Sequence, residues 1–241
     1  MKIIVTKDYD NMSKAAFEIV KDVVVNNPNA VLGLATGTTP LGLYREMVRD
    51  YIRRGTSYKN VRTVNLDEYE GLDGNDPQSY RYFMDKNLFE KIDIDRKNTH
   101  LFDGTAKDAS AECARFNRLL AELPQDLQIL GIGSNGHIAF NEPGTPFESE
   151  THVVTLAEST VRDNARLFAR EEDVPRRAFT MGLKNIMKAK KIVVLASGEN
   201  KARAILGLVK GEITEGLPAS ILRLHSDCTL IIDEAAAKLL G

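Results

Sequence analysis

The chain has 241 residues, of which 43% are apolar and 27% charged, the balance of a globular protein. That length makes one large α/β domain or two small ones, and hides roughly 70% of the unfolded surface on folding. With 32 basic and 34 acidic residues the net charge is −2, which excludes the cationic footprint of a nucleic-acid or anionic-membrane binder.

The opening run Met1–Thr6 is too short for a signal peptide and leads straight into a strand. No apolar stretch approaches the roughly 18 residues of a membrane span. Cys113 and Cys228 lack zinc-ligand or CxxC spacing and read as buried free thiols, which points to a reducing cytoplasm. Strands are predicted at Ile3–Val5, Ala30–Ala35, Val61–Leu66, Leu127–Ile132, Val153–Leu156, Lys191–Ala196 and Thr229–Ile232. Amphipathic helical patterns lie between them: Leu41, Tyr44, Val48 and Tyr51 share one face, as do Ala202, Ile205, Leu206 and Val209. The alternation predicts a single Rossmann-like three-layer α/β domain over 1–241: a doubly wound, mainly parallel sheet with helices on both faces. The least regular segment, about 142–182, holds Pro143, Pro146, Pro175 and the charge run Arg170–Asp173. It reads either as a solvated surface excursion or as a lid over the strand ends.

Ligands of such sheets bind beyond the carboxyl ends of the strands, and three strand ends carry unusual chemistry. The first is Ala35-Thr-Gly-Thr-Thr-Pro-Leu41, where Thr39 is placed to cap a helix whose first position suits Pro40. Free amides and three hydroxyls there fit a phosphate, although a plain strand-to-helix turn would also use such a cap. The missing Gly-Lys-Ser/Thr ending rules out a Walker A loop. Next, the strand Val61–Leu66 runs directly into Asp67 and Glu68. A carboxylate at a strand end can act as a base on a carbon acid or hydroxyl; the alternative is a cap or a surface pair.

The third strand end is Gly131-Ile-Gly-Ser-Asn-Gly-His-Ile-Ala-Phe-Asn-Glu-Pro143. Gly131, Gly133 and Gly136 match a G-x-G-x-x-G dinucleotide fingerprint. The fingerprint also needs a following helix and an acidic residue about 20 positions on, and here Pro143-Gly144 interrupts. The glycines instead bring backbone amides close to a sugar or an oxyanion. His137 has Glu142 five residues on; a carboxylate on one ring nitrogen fixes the tautomer and makes the other nitrogen the better base. A structural role is the alternative for His137, and the assigned one for His100, His152 and His225.

Taken together, Leu34-Ala-Thr-Gly-Thr-Thr-Pro40, Asn65-Leu-Asp-Glu-Tyr69 with Gly71-Leu72 and Ser79-Tyr80, and the Gly131–Gly144 segment resemble the glucosamine-6-phosphate deaminases. These belong to the glucosamine/galactosamine-6-phosphate isomerase family, and the likeness spans nearly the whole chain. The related 6-phosphogluconolactonases have Asp-Glu-Arg where this chain has Asp67-Glu-Tyr69, and lack the Phe140-Asn-Glu-Pro143 continuation. The resemblance implies conversion of D-glucosamine 6-phosphate to D-fructose 6-phosphate and ammonia, in amino-sugar catabolism, without a metal or cofactor. It assigns Asp67 to the C2 proton and His137, with Glu142 and Asn135, to ring opening. Substrate and phosphate contacts fall to Thr36, Gly37, Thr38, Thr39, Gly131, Ala139, Arg166 and Lys201. Local chemistry alone singles out neither Arg166 nor Lys201.

Position 135 is Asn where the hexameric branch of the family has Asp, so its amide can orient a neighbour but cannot shuttle a proton. The hexameric branch binds an allosteric effector through basic residues and a C-terminal extension. This chain reads Thr151-His-Val-Val-Thr155 at the first and ends at Gly241. The shorter, non-allosteric branch is the match, implying a monomer, with the hexamer as the alternative. The competing functions are a 6-phosphogluconolactonase and a sugar-phosphate-binding regulator. Regulators of this type carry an N-terminal DNA-binding region, whereas this chain enters its first strand at Ile3.

Overall fold

The computed structural model describes residues 1–165, 168, 170 and 173–241, so the phosphate ligand implied at Arg166 lies outside the described residues. In chain order the elements are β1 (Lys2–Thr6), α1 (Tyr9–Asn26), β2 (Val31–Leu34), α2 (Leu41–Ile52), β3 (Arg62–Asn65), β4 (Asp67–Tyr69), α3 (Tyr80–Asn87) and β5 (Thr99–His100). They continue with α4 (Ala109–Glu122), β6 (Leu127–Gly131), β7 (His152–Thr155), α5 (Glu158–Ala165), β8 (Arg177–Thr180), α6 (Leu183–Ile186), β9 (Ile192–Ala196), α7 (Ala202–Lys210), β10 (Cys228–Asp233) and α8 (Glu234–Ala237). Every strand read from the sequence is present, with ends shifted by one residue at most.

Seven strands form one sheet in the order β1-β10-β9-β6-β2-β3-β5, and every pairing in it is parallel. Successive strand residues point to opposite faces, and both faces of this sheet are covered. Leu32, Leu34, Ile129, Val193, Leu195 and Ile231 enter the core shared with α1, α2 and α3. Their neighbours Val31, Leu130, Val194, Ala196, Leu230 and Ile232 enter the opposite core with α4, α6, α7 and α8. The doubly wound three-layer reading therefore holds. Local signals set the helices: in α1, Met12, Ala16, Val20 and Val24 recur at four-residue spacing on the buried face. Asp8 Oδ1 caps its start by accepting from Asn11 N at 2.8 Å.

The segment 142–182 is more regular than its prolines and charges suggest. It supplies β7 and β8, which pair antiparallel, and β8 pairs antiparallel with β4, giving a second, three-stranded sheet β4-β8-β7. The chain passes between sheets at Leu66. Its N–H donates to Leu34 O at 3.1 Å in the main sheet, and its carbonyl accepts from Met181 N at 2.7 Å beside β8. Phe179 in β8 is fully buried in the main core, stacked against Phe102 with ring centroids 5.6 Å apart, and pins the small sheet down. Cys228 is buried and Cys113 only partly so, on the flank of α4, which corrects the sequence reading for Cys113. Among the described residues, no helix is long and apolar enough to cross a membrane.

Phe179→Ala should cost about 3–5 kcal/mol, the usual range for emptying a buried aromatic site. Urea unfolding of the variant measures it; a loss below about 1 kcal/mol would mean that this ring does not anchor the second sheet.

Candidate active site

The chain leaves β2 through α2 toward β3, and later returns through α4 to β6 on the other side of β2. This reversal of direction between β2 and β6 opens a crevice at their carboxyl ends. A cavity of about 390 Å³ lies there. Thr36, Gly37, Thr38, Thr39, Asp67, Gly131, His137, Ala139 and Lys201 all line it. Asn135 and Glu142 stand behind His137.

The threonine loop departs from its expected capping. Pro40, not Thr39, occupies the N-cap position of α2, and no side chain caps it in the usual way. Instead the Tyr9 hydroxyl, from α1, accepts from Gly42 N at 2.7 Å and donates to Thr38 O at 2.9 Å. The Pro40 ring offers no side-chain acceptor to the first-turn amides, and the Tyr9 hydroxyl takes that place from a neighbouring helix. Gly37 has φ +88°, a left-handed conformation natural to glycine, and a Cβ there would meet nothing within 4 Å. The bend opens the loop toward the cavity and the start of α2.

Asp67 and Glu68 are 6% and 1% exposed, which removes the surface-pair alternative. Burial, with the charge of Glu68 beside it, pushes the Asp67 carboxyl up to about 8. Glu68 accepts from the backbone N–H groups of Tyr69, Tyr80 and Arg81, each at 2.9 Å. Burial raises it, and these three amides hold the rise to about 7. Among the described residues no hydrogen bond reaches the Asp67 carboxyl. The two acids thus differ in kind: Glu68 is fixed as an acceptor, while Asp67 faces the cavity with its proton available for exchange.

No helix follows β6 before β7, so the dinucleotide fingerprint is absent as expected. The loop is a set of tight turns. Gly133 N donates to His137 O at 2.9 Å, Gly136 N to Gly133 O at 3.0 Å, and Gly136 has φ +87°. A Cβ on Gly133 would lie 2.3 Å from the His137 ring, so the glycine makes room for the imidazole. Gly131 faces open space, and a side chain there would occupy the cavity. Among the described residues, Ala139 is one of two non-glycines at positive φ, at 51°. That reversal sends Ile138 into the core while Ala139 and Phe140 line the cavity. Asn135 bridges the loop: its Oδ1 accepts from His137 N at 3.1 Å, and its Nδ2 donates to Glu142 Oε2 at 2.9 Å. Glu142 Oε2 lies 3.6 Å from His137 Nδ1, beyond hydrogen-bond length but facing it.

Lys201 reaches the cavity from a 3-10 turn, Glu199–Lys201, at the start of α7. The preceding Ser197 hydroxyl bonds Asp233 Oδ2, and Gly198 N donates to Asp233 at 3.1 Å, tying this loop to β10. Sequence reasoning missed Ser197, Asn200 and Tyr80 as lining residues. Their signal was positional: each follows a strand end or opens a helix at the same sheet edge. The other histidines have structural settings where bonds are visible. His225 is buried with Nε2 2.7 Å from Ala189 O, and His152 Nδ1 lies 2.8 Å from Glu150 O. Among the described residues, no group of three or more His, Cys, Asp or Glu side chains is arranged to hold a metal ion.

A family model described as glucosamine-6-phosphate isomerases/6-phosphogluconolactonase matches residues 8–231. A glucosamine-6-phosphate deaminase of Thermoanaerobacter sp. (strain X514) is 53% identical over 241 residues, covering 100% of this chain and 95% of that protein. One of Clostridium perfringens (strain 13 / Type A) is 49% identical, covering 100% of both chains. The solved structure of a monomeric glucosamine-6-phosphate deaminase superposes with a TM-score of 0.98 at 47% identity, covering 99% of this chain and 100% of that one. The 6-phosphogluconolactonase from Trypanosoma brucei superposes at 0.82 with 19% identity, covering 100% of this chain and 98% of that one, a likeness of fold.

Because the folded protein keeps the Asp67 proton up to about 8 while the unfolded chain releases it near 3.8, the folded state binds more protons between those values. Stability contributed by this group therefore falls as pH rises through that window. Asp67→Asn should raise Tm at pH 8.5 more than at pH 5.5, by at least about 2 °C. Calorimetry at the two pH values checks this; an equal shift at both would mean that Asp67 is not held protonated.

Proposed function

The chain belongs to the glucosamine-6-phosphate isomerase/6-phosphogluconolactonase family, and we propose that within it the protein is a glucosamine-6-phosphate deaminase. It converts D-glucosamine 6-phosphate and water to D-fructose 6-phosphate and ammonia, a hydrolysis of a C–N bond coupled to aldose–ketose isomerisation. The observation that carries this reading is one cavity lined by a buried carboxyl, Asp67, an imidazole, His137, and the threonine loop. Identity near one half with deaminases over the full length supports it.

The substrate's phosphate monoester sits against the amides and hydroxyls of Thr36–Thr39, with the Lys201 ammonium beside it. Arg166, assigned by resemblance, completes the phosphate grip. Gly131 and Ala139 present backbone to the sugar. His137 takes the proton of the anomeric hydroxyl and returns one to the ring oxygen, so that the C1–O5 bond breaks. Asn135 holds Glu142 on the Nδ1 side of the imidazole. Ionised Asp67 then removes the proton at C2. The electron pair moves into a C1–C2 double bond, giving an enolamine, and a proton added at C1 leaves an imine at C2. Water adds to that carbon and ammonia departs, leaving the ketone. A carboxylate whose proton affinity lies near the working pH suits a base that must both take and return a proton.

The lactonase reading needs a base for water and none for a carbon acid, but the lactonases share the Asp-Glu pair, so identity near one half with deaminases, not Asp67, favours the deaminase. Tyr69, the position that separates the two groups in sequence, is buried among Tyr80, Phe140 and Phe168. The segment 142–182, carrying β7 and β8, is proposed as the cover of the cavity within one domain spanning 1–241. A monomeric, non-allosteric enzyme of the cytoplasm, with no nucleic-acid or membrane partner, fits the likeness to the monomeric deaminase.

Ammonia release and fructose 6-phosphate formation from glucosamine 6-phosphate, with 6-phosphogluconolactone as the control substrate, test the assignment. Turnover of the lactone alone would overturn it. Asp67→Asn should lower kcat by at least the 10²–10⁴-fold associated with a general base and abolish hydrogen exchange at C2; normal exchange would refute its role. For the wild type, kcat/KM should fall as pH drops below about 8, because the base must be ionised. His137→Gln should slow turnover of the cyclic substrate most, and full activity would remove the ring-opening role. N-acetylglucosamine 6-phosphate should leave the rate curve hyperbolic and unchanged.

A further inference from the structure

The first turn of a helix leaves amides without intrahelical partners. In α3 an ordinary cap is present, since Ser79 Oγ accepts from Tyr82 N at 3.1 Å. Yet the amides of Tyr80 and Arg81 are taken by Glu68, a residue of another element, at 2.9 Å each. The same carboxylate takes Tyr69 N at 2.9 Å, so it ties its own strand to the helix. Consecutive residues of β4 point to opposite faces. Asp67 and Tyr80 line the cavity described above, whereas Glu68 and Arg81 line a separate cleft near β5.

Tyr80 is therefore clamped at its backbone from behind while its ring faces the substrate space. The ring stacks on Phe140 of the His137 loop, with centroids 6.0 Å apart and planes at 17°, and lies 4.9 Å from the Tyr69 ring. Its hydroxyl sits between Tyr69 and Thr36. One aromatic side chain thus touches the base strand, the threonine loop and the loop carrying the imidazole.

We infer that Glu68 is a positioning residue for the proposed proton transfer: it fixes the first turn of α3 so that Tyr80 forms the cavity wall between Asp67 and the His137 loop. This rests on the reading of Asp67 as the carbon base. The same carboxylate has a second consequence. When ionised, Glu68 repels ionisation of its neighbour, so the basicity of Asp67 depends on Glu68 as well as on burial. A simple helix cap would contribute stability and nothing else.

Glu68→Gln keeps the volume but removes the charge and turns an amide donor toward backbone donors. On the alkaline plateau kcat should fall about tenfold or more through misplacement of the wall, with KM changing less than about threefold. The acid limb of kcat/KM should move about one pH unit toward acid. In a Tyr80→Leu background the same substitution should cost much less in kcat, because both changes act on one wall. Unchanged kcat and an unmoved acid limb, with only Tm lowered, would overturn the inference. If Glu68→Gln does not fold, Tyr80→Leu alone decides: about tenfold loss of kcat with an unmoved acid limb supports the role, and wild-type kcat refutes it. Asp67→Asn, measured alongside, separates the two failures. Retained C2 exchange in that variant would sink the base assignment itself. Its loss, with Glu68→Gln behaving as wild type, would sink only the positioning role.

Discussion

The structure turns on the burial of two adjacent carboxyl groups at the point where the chain leaves one sheet for another. Asp67 and Glu68 are both buried, and side by side they resist ionising together. The fold resolves the conflict by treating them differently. Glu68 receives three backbone amides and serves as the fixed acceptor at the start of α3. Asp67 receives no such bonds among the described residues and faces the cavity. Its stability cost and its proposed use as a base have the same physical origin, since a carboxylate shielded from water binds a proton more tightly and is the stronger base once ionised.

Everything else at the site follows from where that pair sits. The strands β9, β6, β2 and β3 are consecutive neighbours in the sheet, and each contributes the loop at its carboxyl end. The winding reverses between β2 and β6, so the threonine loop and the His137 loop part there and leave room for a ligand. The small sheet of β4, β8 and β7 lies beside the same edge. It is bound to the large one through the backbone of Leu66 and the buried ring of Phe179. The Asp67 carboxyl is thus set on a short strand between two paired sheets rather than on a loose loop.

Much of this was legible in the sequence because it rests on local pattern. Buried parallel strands are apolar runs, so Leu127–Gly131 and Ile192–Ala196 stood out. The glycines around His137 announced a tight turn, and Gly133 indeed makes space for the imidazole ring. What was not legible depends on partners far along the chain. The strand β8 lies among prolines and charges and exists because β4 and β7 flank it. The α2 start looked like a Thr39 cap, yet the acceptor is the hydroxyl of Tyr9, 33 residues before Gly42. Glu68 could have been half of a surface pair; its burial against α3 is a tertiary fact. Asn135 was read as an orienting amide, and it bonds both the His137 backbone and Glu142.

The central claim is that Asp67 holds its proton near neutral pH because it is buried beside Glu68. Carboxyl carbon NMR of the protein labelled with ¹³C at aspartate side chains, titrated without substrate and assigned by Asp67→Asn, reads that proton directly. The account predicts an Asp67 resonance that titrates near 8, well above the bulk of the aspartates. A resonance titrating near 4, with the ordinary carboxyls, would contradict it.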